Sequence, residues 1–282
     1  MRCVARVVIV LLSLISVLFV TPAGAYQVRA EPLTIAPGDP FLIKVTGLDR
    51  TVQPRAMVFG REVGFASCGK GCAVAVCAAD ISVKPGRYRM VVSAGGNKRS
   101  AGIKVQAHAF PVIRVTLPAD KVTLSEEDTK RVQREEELLS ALWKEQTEQQ
   151  WEGSFMMPLP NEISTQFGVK RLINDERQSI HRGIDIRGTK GEEVRASNRG
   201  TVVLAEELFF GGNTLVLDHG MGIYSVYMHL ERFHKNRGEA VAKGDIIGSV
   251  GTTGRSTGPH LHIGVKVQGV SVNPVSFMKL KL

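Results

Sequence analysis

The sequence predicts a mainly β protein of two bodies, a small N-terminal β-sandwich and a C-terminal all-β domain, connected by a helical linker. Three observations carry this expectation. Short β-branched and apolar runs recur along most of the chain between glycine and proline residues. Helical periodicity is confined to one stretch after Ser125. The 282 residues, 43% of them hydrophobic, are enough for two ordinary domains.

The first 25 residues stand apart from the fold. Arg2 and Arg6 flank the start of an apolar run over residues 7–20 that only Ser13 and Ser16 interrupt. Ala23-Gly24-Ala25 then supplies the small-x-small pattern of a signal-peptide cleavage site. The run is shorter than the roughly 20 residues of a membrane span. It therefore predicts export, to the periplasm or the cell wall, with no stable membrane insertion after cleavage. No later stretch is apolar enough to span a bilayer.

Residues 26–110 read as the sandwich. Runs at 41–45, 56–59, 72–77, 87–92 and 102–106 are punctuated by Pro37-Gly38, Pro54 and Pro85-Gly86. His108 has no carboxylate or thiol pattern beside it and reads as structural. Cys68, Cys72 and Cys77 remain once Cys3 leaves with the signal. Cys68 and Cys72 flank the turn Gly69-Lys70-Gly71, whereas Cys72 and Cys77 point to opposite faces of an extended segment. A Cys68–Cys72 bridge and three reduced core cysteines both stay open.

Residues 111–152 form the linker. Ser125-Glu126-Glu127-Asp128 resembles a capping box, with Asp where Glu or Gln is usual. Leu138, Leu139, Leu142 and Trp143 make a narrow apolar stripe behind it. A helix from Ser125 to about Trp151 is expected to join the two domains. Residues 153–282 return to strands at 201–205, 214–217, 224–228 and 245–250, with glycines throughout. The segment from Gly251 to Gly258 lacks the Gly-Lys-Ser/Thr ending and following helix of a phosphate cradle.

The formal net charge is +9, or +7 once Arg2 and Arg6 are removed. Such an excess favours anionic partners, cell-wall polymers among them, through attraction that salt screens. Nucleic acid is excluded by the compartment and by the lack of any aromatic-basic repeat or recognition motif.

The chemistry concentrates in two short segments. His260 and His262, two residues apart, share one face if their segment is a strand. His181 and Asp185 add an imidazole and a carboxylate, a donor set that suits zinc. A catalytic zinc takes three protein ligands and leaves one position for water. Four candidates therefore leave one residue over for catalysis. His229, at the end of an apolar strand, joins them by position. His219 is placed at a turn with a local hydrogen-bonding role, and His234 in a charged surface loop.

Phe167-Gly168-Val169-Lys170-Arg171, His181-Arg182-Gly183-Ile184-Asp185, Tyr227-Met228-His229-Leu230 and Ser256-Thr257-Gly258-Pro259-His260-Leu261-His262 occur in this order. Together they resemble the lysostaphin-type, or LytM-domain, zinc peptidoglycan endopeptidases over roughly residues 158–277. The resemblance implies an antiparallel β-sheet peptidase domain with one Zn2+ per chain, held by His181, Asp185 and His262. His229 and His260 would face the open position as the catalytic pair. Peptidoglycan peptides are the implied substrate, with D,D-cross-links favoured over glycine bridges. The family also contains members that have lost ligands and act as non-catalytic activators of other wall hydrolases; this chain keeps the full set. Ile263-Gly264 departs from the aromatic-Glu pair usual there, which bears on packing around the metal, since neither residue is a ligand. An insertion at residues 172–180, together with the helical tether, predicts a front domain that either restricts the zinc cleft or positions the enzyme.

Overall fold

A computed structural model describes residues 26–115, 124–174 and 177–282; the expected signal peptide lies outside them. Among the described residues no helix is long and apolar enough to cross a membrane. The protein is mainly β. Its front body is a sandwich of two sheets. One runs in the order β1 (Gln27–Glu31), β3 (Pro40–Thr46), β7 (Cys72–Ala78), β6 (Ala66–Gly69). The other runs β2 (Thr34–Ile35), β9 (Asn97–Val105), β8 (Gly86–Ala94), β4 (Arg55–Val58), β5 (Arg61–Val63). The Cys68–Cys72 disulfide closes the β6–β7 turn with its Cα atoms 5.1 Å apart, and Cys77 is buried and free. Burial in the apolar core pushes the Cys77 thiol pKa up.

Side chains alternate along β3 and β7 as strand geometry requires, yet both faces are apolar. Phe41, Ile43 and Val45, with Ala73, Ala75 and Cys77, enter the sandwich core. Leu42, Val74 and Val76 point the other way, into a second cluster with Trp151, Phe155, Val265, Val267 and Phe277. A sheet buried on both faces needs a second body against it. Each fully buried side chain of this kind stabilises by roughly 1.5–3 kcal/mol, so the front domain is docked rather than merely tethered.

Helix α1 (Glu126–Leu142) begins as the sequence predicts: Ser125 Oγ accepts from the Asp128 backbone N–H at 3.0 Å. It ends at Leu142, before the expected Trp151. Its stripe of Leu138, Leu139, Leu142 and Trp143 packs on Leu204, Leu208, Val216, Tyr224 and Val226 of the C-terminal sheet. The following residues leave the helix because the sheet offers their backbone other partners. Met221 N–H donates to the Thr147 carbonyl at 2.9 Å, Gln150 N–H to the His219 carbonyl at 2.8 Å, and the Tyr224 hydroxyl to the Glu145 carbonyl at 3.0 Å. Trp151, which follows, is buried in the cluster with Phe155 and Phe277.

The start of the linker is a strand. β10 (Val112–Val115) pairs in parallel with β12 (Lys170–Ile173), which pairs in turn with β13 (Arg177–Ile180). The insertion before His181 is thus a hairpin with a linker strand along its edge.

The C-terminal sheet runs β11 (Ile163–Thr165), β14 (Ile184–Arg187), β21 (His260–Val267), β18 (Ile223–Phe233), β17 (Gly212–Gly220), β16 (Gly200–Leu208), β19 (Ala240–Val241). β15 (Glu193–Arg195) pairs with β20 (Ile246–Val250), which pairs with β18, and β22 (Val270–Val272) pairs with β21. Helix α2 (Pro274–Met278) closes the chain. One face of the sheet carries a core built on Ile184, Ile186, Leu215, Leu217, Tyr227, Leu261 and Ile263.

His219 does not sit at a turn. It lies within β17, fully buried. Its Nδ1–H donates to the Arg199 carbonyl at 2.7 Å, and Nε2 faces Ser225 Oγ at 2.7 Å. The Ser225, Tyr227 and Ser197 hydroxyls continue this chain at 3.0 Å each, so the ring bonds strands rather than a local loop. Burial lowers its pKa from 6.5 to about 4, against the raising effect of the Arg199 carbonyl. The fold therefore holds the neutral ring. Stability from this source is complete above pH 6.5 and is lost as pH falls toward 4, by roughly 3 kcal/mol in all. Denaturant unfolding of the wild type and His219→Gln at pH 7 and pH 4 should show the wild-type advantage shrinking by that order; an advantage independent of pH would contradict it.

Candidate metal centre

The site lies on the sheet face opposite the core. β14 and β21 are antiparallel, with Asp185 opposite His262 and Arg187 opposite His260. Ile184, Ile186, Leu261 and Ile263 enter the core from the same two strands. The intervening residues must therefore emerge on the other side. His181, just before β14, is fixed by its backbone: its N–H donates to the Val169 carbonyl at 2.9 Å and its carbonyl accepts from Gly168 N–H at 2.8 Å.

Three side chains converge. His181 Nε2 is 2.9 Å from Asp185 Oδ1 and 3.0 Å from His262 Nδ1, and His262 Nδ1 is 2.8 Å from the same carboxylate oxygen. Such a group of donor atoms can hold a metal ion. Two imidazoles and one carboxylate fit zinc, and three protein donors leave a coordination position open. His181 Nδ1–H donates to the Gln166 carbonyl at 2.9 Å. That bond occupies Nδ1 and leaves Nε2 as the ring atom directed at the site.

His260 and His229 stand beside this trio. His260 Nε2 is 3.8 Å from Asp185 Oδ1, and the His229 and His260 ring centroids are 4.8 Å apart. Both rings are anchored through Nδ1–H, to the Thr253 carbonyl at 2.9 Å for His229 and to the Gly258 carbonyl at 2.8 Å for His260. Each keeps Nε2 available for proton exchange.

His229 reaches this face through a bulge. Asn213 pairs with Leu230 and Leu215 with Tyr227, so Met228 and His229 together oppose Thr214 alone. His229 has φ +62°, a left-handed conformation unusual for a residue with a side chain. Tyr227 and Leu230, three apart, both enter the core, which strict alternation forbids.

The electrostatics divide the groups. Burial alone would raise the Asp185 carboxyl pKa, but hydrogen bonds from His181 and His262, with the Coulombic attraction of both rings, hold it well below the usual carboxylate range. Burial lowers the His229 pKa to about 4; the Thr253 carbonyl opposes this, and His260 and His262 add repulsion. Burial also lowers His262.

Of the five residues singled out from the sequence, the structure brings His181, Asp185 and His262 into one cluster and sets His229 and His260 against it. His234 is exposed, as expected of a charged loop; His108, read as structural, is exposed too and packs edge-on against Phe110. Two residues with no assigned role lie on elements that build the site, Arg171 against Asp185 and Arg255 on the loop that anchors His229. Arg171 Nη2 lies 3.7 Å from Asp185 Oδ2. Arg255 stacks over Phe210, its guanidinium carbon 4.3 Å from the ring centroid. Arg171 was visible only as part of a motif and Arg255 within a glycine-rich loop, and neither pattern signals a direction for a side chain.

Residues 179–274 match Peptidase family M23. The DD-carboxypeptidase/endopeptidase Mpg of Neisseria meningitidis serogroup B is 40% identical over 114 residues, covering 40% of this chain and 26% of that protein. The peptidoglycan DD-endopeptidase ShyA of Vibrio cholerae is 36% identical over 121 residues, covering 43% of this chain and 27% of its own length. The chain thus spans about a quarter of these relatives. The crystal structure of a candidate peptidase M23 from Pseudomonas aeruginosa matches across both bodies, with a TM-score of 0.67, 26% identity, and coverage of 86% of this chain and 94% of that one.

Gly183 lies between two of the clustered residues. A β-carbon there would fall 2.4 Å from the Ile263 carbonyl oxygen and 2.6 Å from His262 Nε2. Gly183→Ala should therefore displace His262 or part β14 from β21. Zinc affinity, measured by competition with a chromogenic chelator, should fall by at least about tenfold with the circular dichroism of the sheet retained. Unchanged affinity would show that the contact relaxes elsewhere.

Proposed function

Because the chain carries a Peptidase family M23 domain of the LytM or lysostaphin type, we propose that it is an exported zinc metalloendopeptidase that hydrolyses peptide bonds of peptidoglycan. The reading extends to the D,D-endopeptidase type, which the names of the two relatives support. The observation that carries it is the division of labour among five side chains. His181, Asp185 and His262 converge on one point, while His229 and His260 stand beside it with free Nε2 atoms.

His181 Nε2, Asp185 Oδ1 and His262 Nδ1 would hold the ion. Zinc, when bound, supplies Lewis acidity toward a peptide carbonyl and toward water. The chain's own residues do the rest. A low-pKa Asp185 stays anionic and available as a ligand at neutral pH. Burial keeps the His229 ring neutral, so its Nε2 can accept a proton at working pH. His260, equally free at Nε2, is the second proton carrier. One of the pair takes the proton of the attacking water. That ring, now protonated at Nε2, returns the proton to the leaving amine, and the other, when it carries a proton at Nε2, donates to the developing oxyanion.

The ligand and proton-transfer roles separate in two variants. His262→Ala should lose both zinc, read by atomic absorption, and release of muropeptides from purified sacculi. His229→Ala should keep zinc while turnover falls by roughly 10²–10⁴-fold. Stoichiometric zinc in His262→Ala would overturn the ligand set, and loss of zinc from His229→Ala would overturn its role in proton transfer. A wild-type protein that binds no zinc and releases nothing would favour a non-catalytic activator of another wall hydrolase.

A further inference from the structure

Two guanidinium groups lie on elements that build the metal centre, one against Asp185 and one on the loop that anchors His229. Arg171 lies on β12 of the inserted hairpin, its Nη2 3.7 Å from Asp185 Oδ2 with its side chain partly open to solvent. Arg255 lies on the loop before β21, two residues beyond Thr253, whose carbonyl anchors His229. Its backbone N–H donates to the Phe210 carbonyl at 3.0 Å, and its guanidinium rests on the Phe210 ring. Burial lowers the Arg255 pKa, and repulsion from Arg171 adds to that, so the two charges sense each other.

Among the described residues, Asp185 is the one acidic side chain within ion-pair reach of either group. With Asp185 Oδ1 committed to zinc, as the proposed function requires, Arg171 keeps a single long contact to Oδ2, and among the described residues no acidic side chain lies within ion-pair reach of Arg255. Two repelling cations with one carboxylate oxygen at 3.7 Å between them stay under-neutralised, an arrangement suited to binding a further anion. The planar guanidinium fork matches a carboxylate in particular.

The substrate chemistry supplies that carboxylate. In a D,D peptide bond of peptidoglycan, the carbon bearing the leaving amine also bears a free carboxylate. This holds for a terminal D-alanine and for a cross-linked diamino dicarboxylic acid, whose second amine and second carboxyl share one carbon; a cross-link through the side chain of lysine has no such carboxylate. An internal glycine bridge has no such group, because its next carboxyl is already an amide. We propose that Arg171 and Arg255 form a clamp for the free carboxylate beside the scissile amide, and that this clamp selects D,D-type bonds. The inference rests on the peptidase reading above.

The test compares a cross-linked muropeptide dimer with the same dimer carrying a carboxamide in place of that carboxylate, using zinc-loaded mature protein. The wild type should cleave the acid with a kcat/KM roughly 10- to 100-fold higher than the amide, the range for a hydrogen bond to a charged group. Arg171→Ala and Arg255→Ala should each bring the ratio toward one, and the Lys variants should retain part of it through their point charge. The ratio is the readout because partial loss of zinc slows both substrates alike. Equal cleavage of acid and amide by the wild type, or a ratio that survives both Ala variants, overturns the clamp. If neither dimer is cleaved, the peptidase reading fails, and the clamp is judged by binding. NMR titration with the acid and amide forms of the amine-side fragment should then show tighter binding of the acid to the wild type but not to Arg255→Ala. Equal binding of the two forms by the wild type overturns it.

Discussion

The site depends on one strand register, the antiparallel pairing of β14 with β21 that sets Asp185 opposite His262. A slip of one residue would turn both side chains into the core and bring isoleucines to the metal face. What prevents the slip is on the reverse side. Ile184, Ile186, Leu261 and Ile263 are fully buried there, and exposing them would forfeit several kcal/mol in total. The ligands are thus held in place by apolar residues that never touch the ion. Gly183 allows the two strands to meet this closely.

Within that frame, two neighbouring groups are driven to opposite charge states. Asp185 is hydrogen-bonded by two rings and stays anionic, whereas His229 is desolvated and stays neutral. One environment favours a charge and the other disfavours it, over the width of a few side chains. Such divergence distinguishes a ligand from a proton acceptor more firmly than residue type does. The His229 position is itself secured by backbone packing. A β-carbon on Gly254 would fall 2.2 Å from Gly212 N. The loop whose Thr253 carbonyl anchors the ring is therefore pressed directly onto the β16–β17 turn.

Much of this was legible in the sequence. Apolar, β-branched runs punctuated by glycine and proline marked the strands at 41–45, 72–77, 201–205 and 224–228, because those signals arise from the chain itself. His260 and His262 could be placed on one face for the same reason. Other features depend on partners distant in sequence. The early end of α1 is set by the carbonyls and N–H groups of residues 219–221, which compete with helical hydrogen bonds for residues 147–150. The burial of His219 follows from Ser225, Tyr227 and Ser197 closing around it. The bulge at His229 has no residue signature, since nothing in Tyr-Met-His-Leu requires a positive φ.

The sheet shared between the two bodies also constrains how the chain reaches its native state. Leu42, Val74 and Val76 find their partners in Val265, Val267 and Phe277, and Asp39 receives the Ser276 hydroxyl at 2.7 Å across 237 residues of sequence. During synthesis from the N-terminus, the strands that pair first present an uncovered apolar face for almost the whole length of the chain. Contacts of such separation form late, and an exposed β surface in the interval invites association with other chains. The first domain to emerge is thus the last to be completed, and its open face is where a chaperone or an export partner would have most to cover.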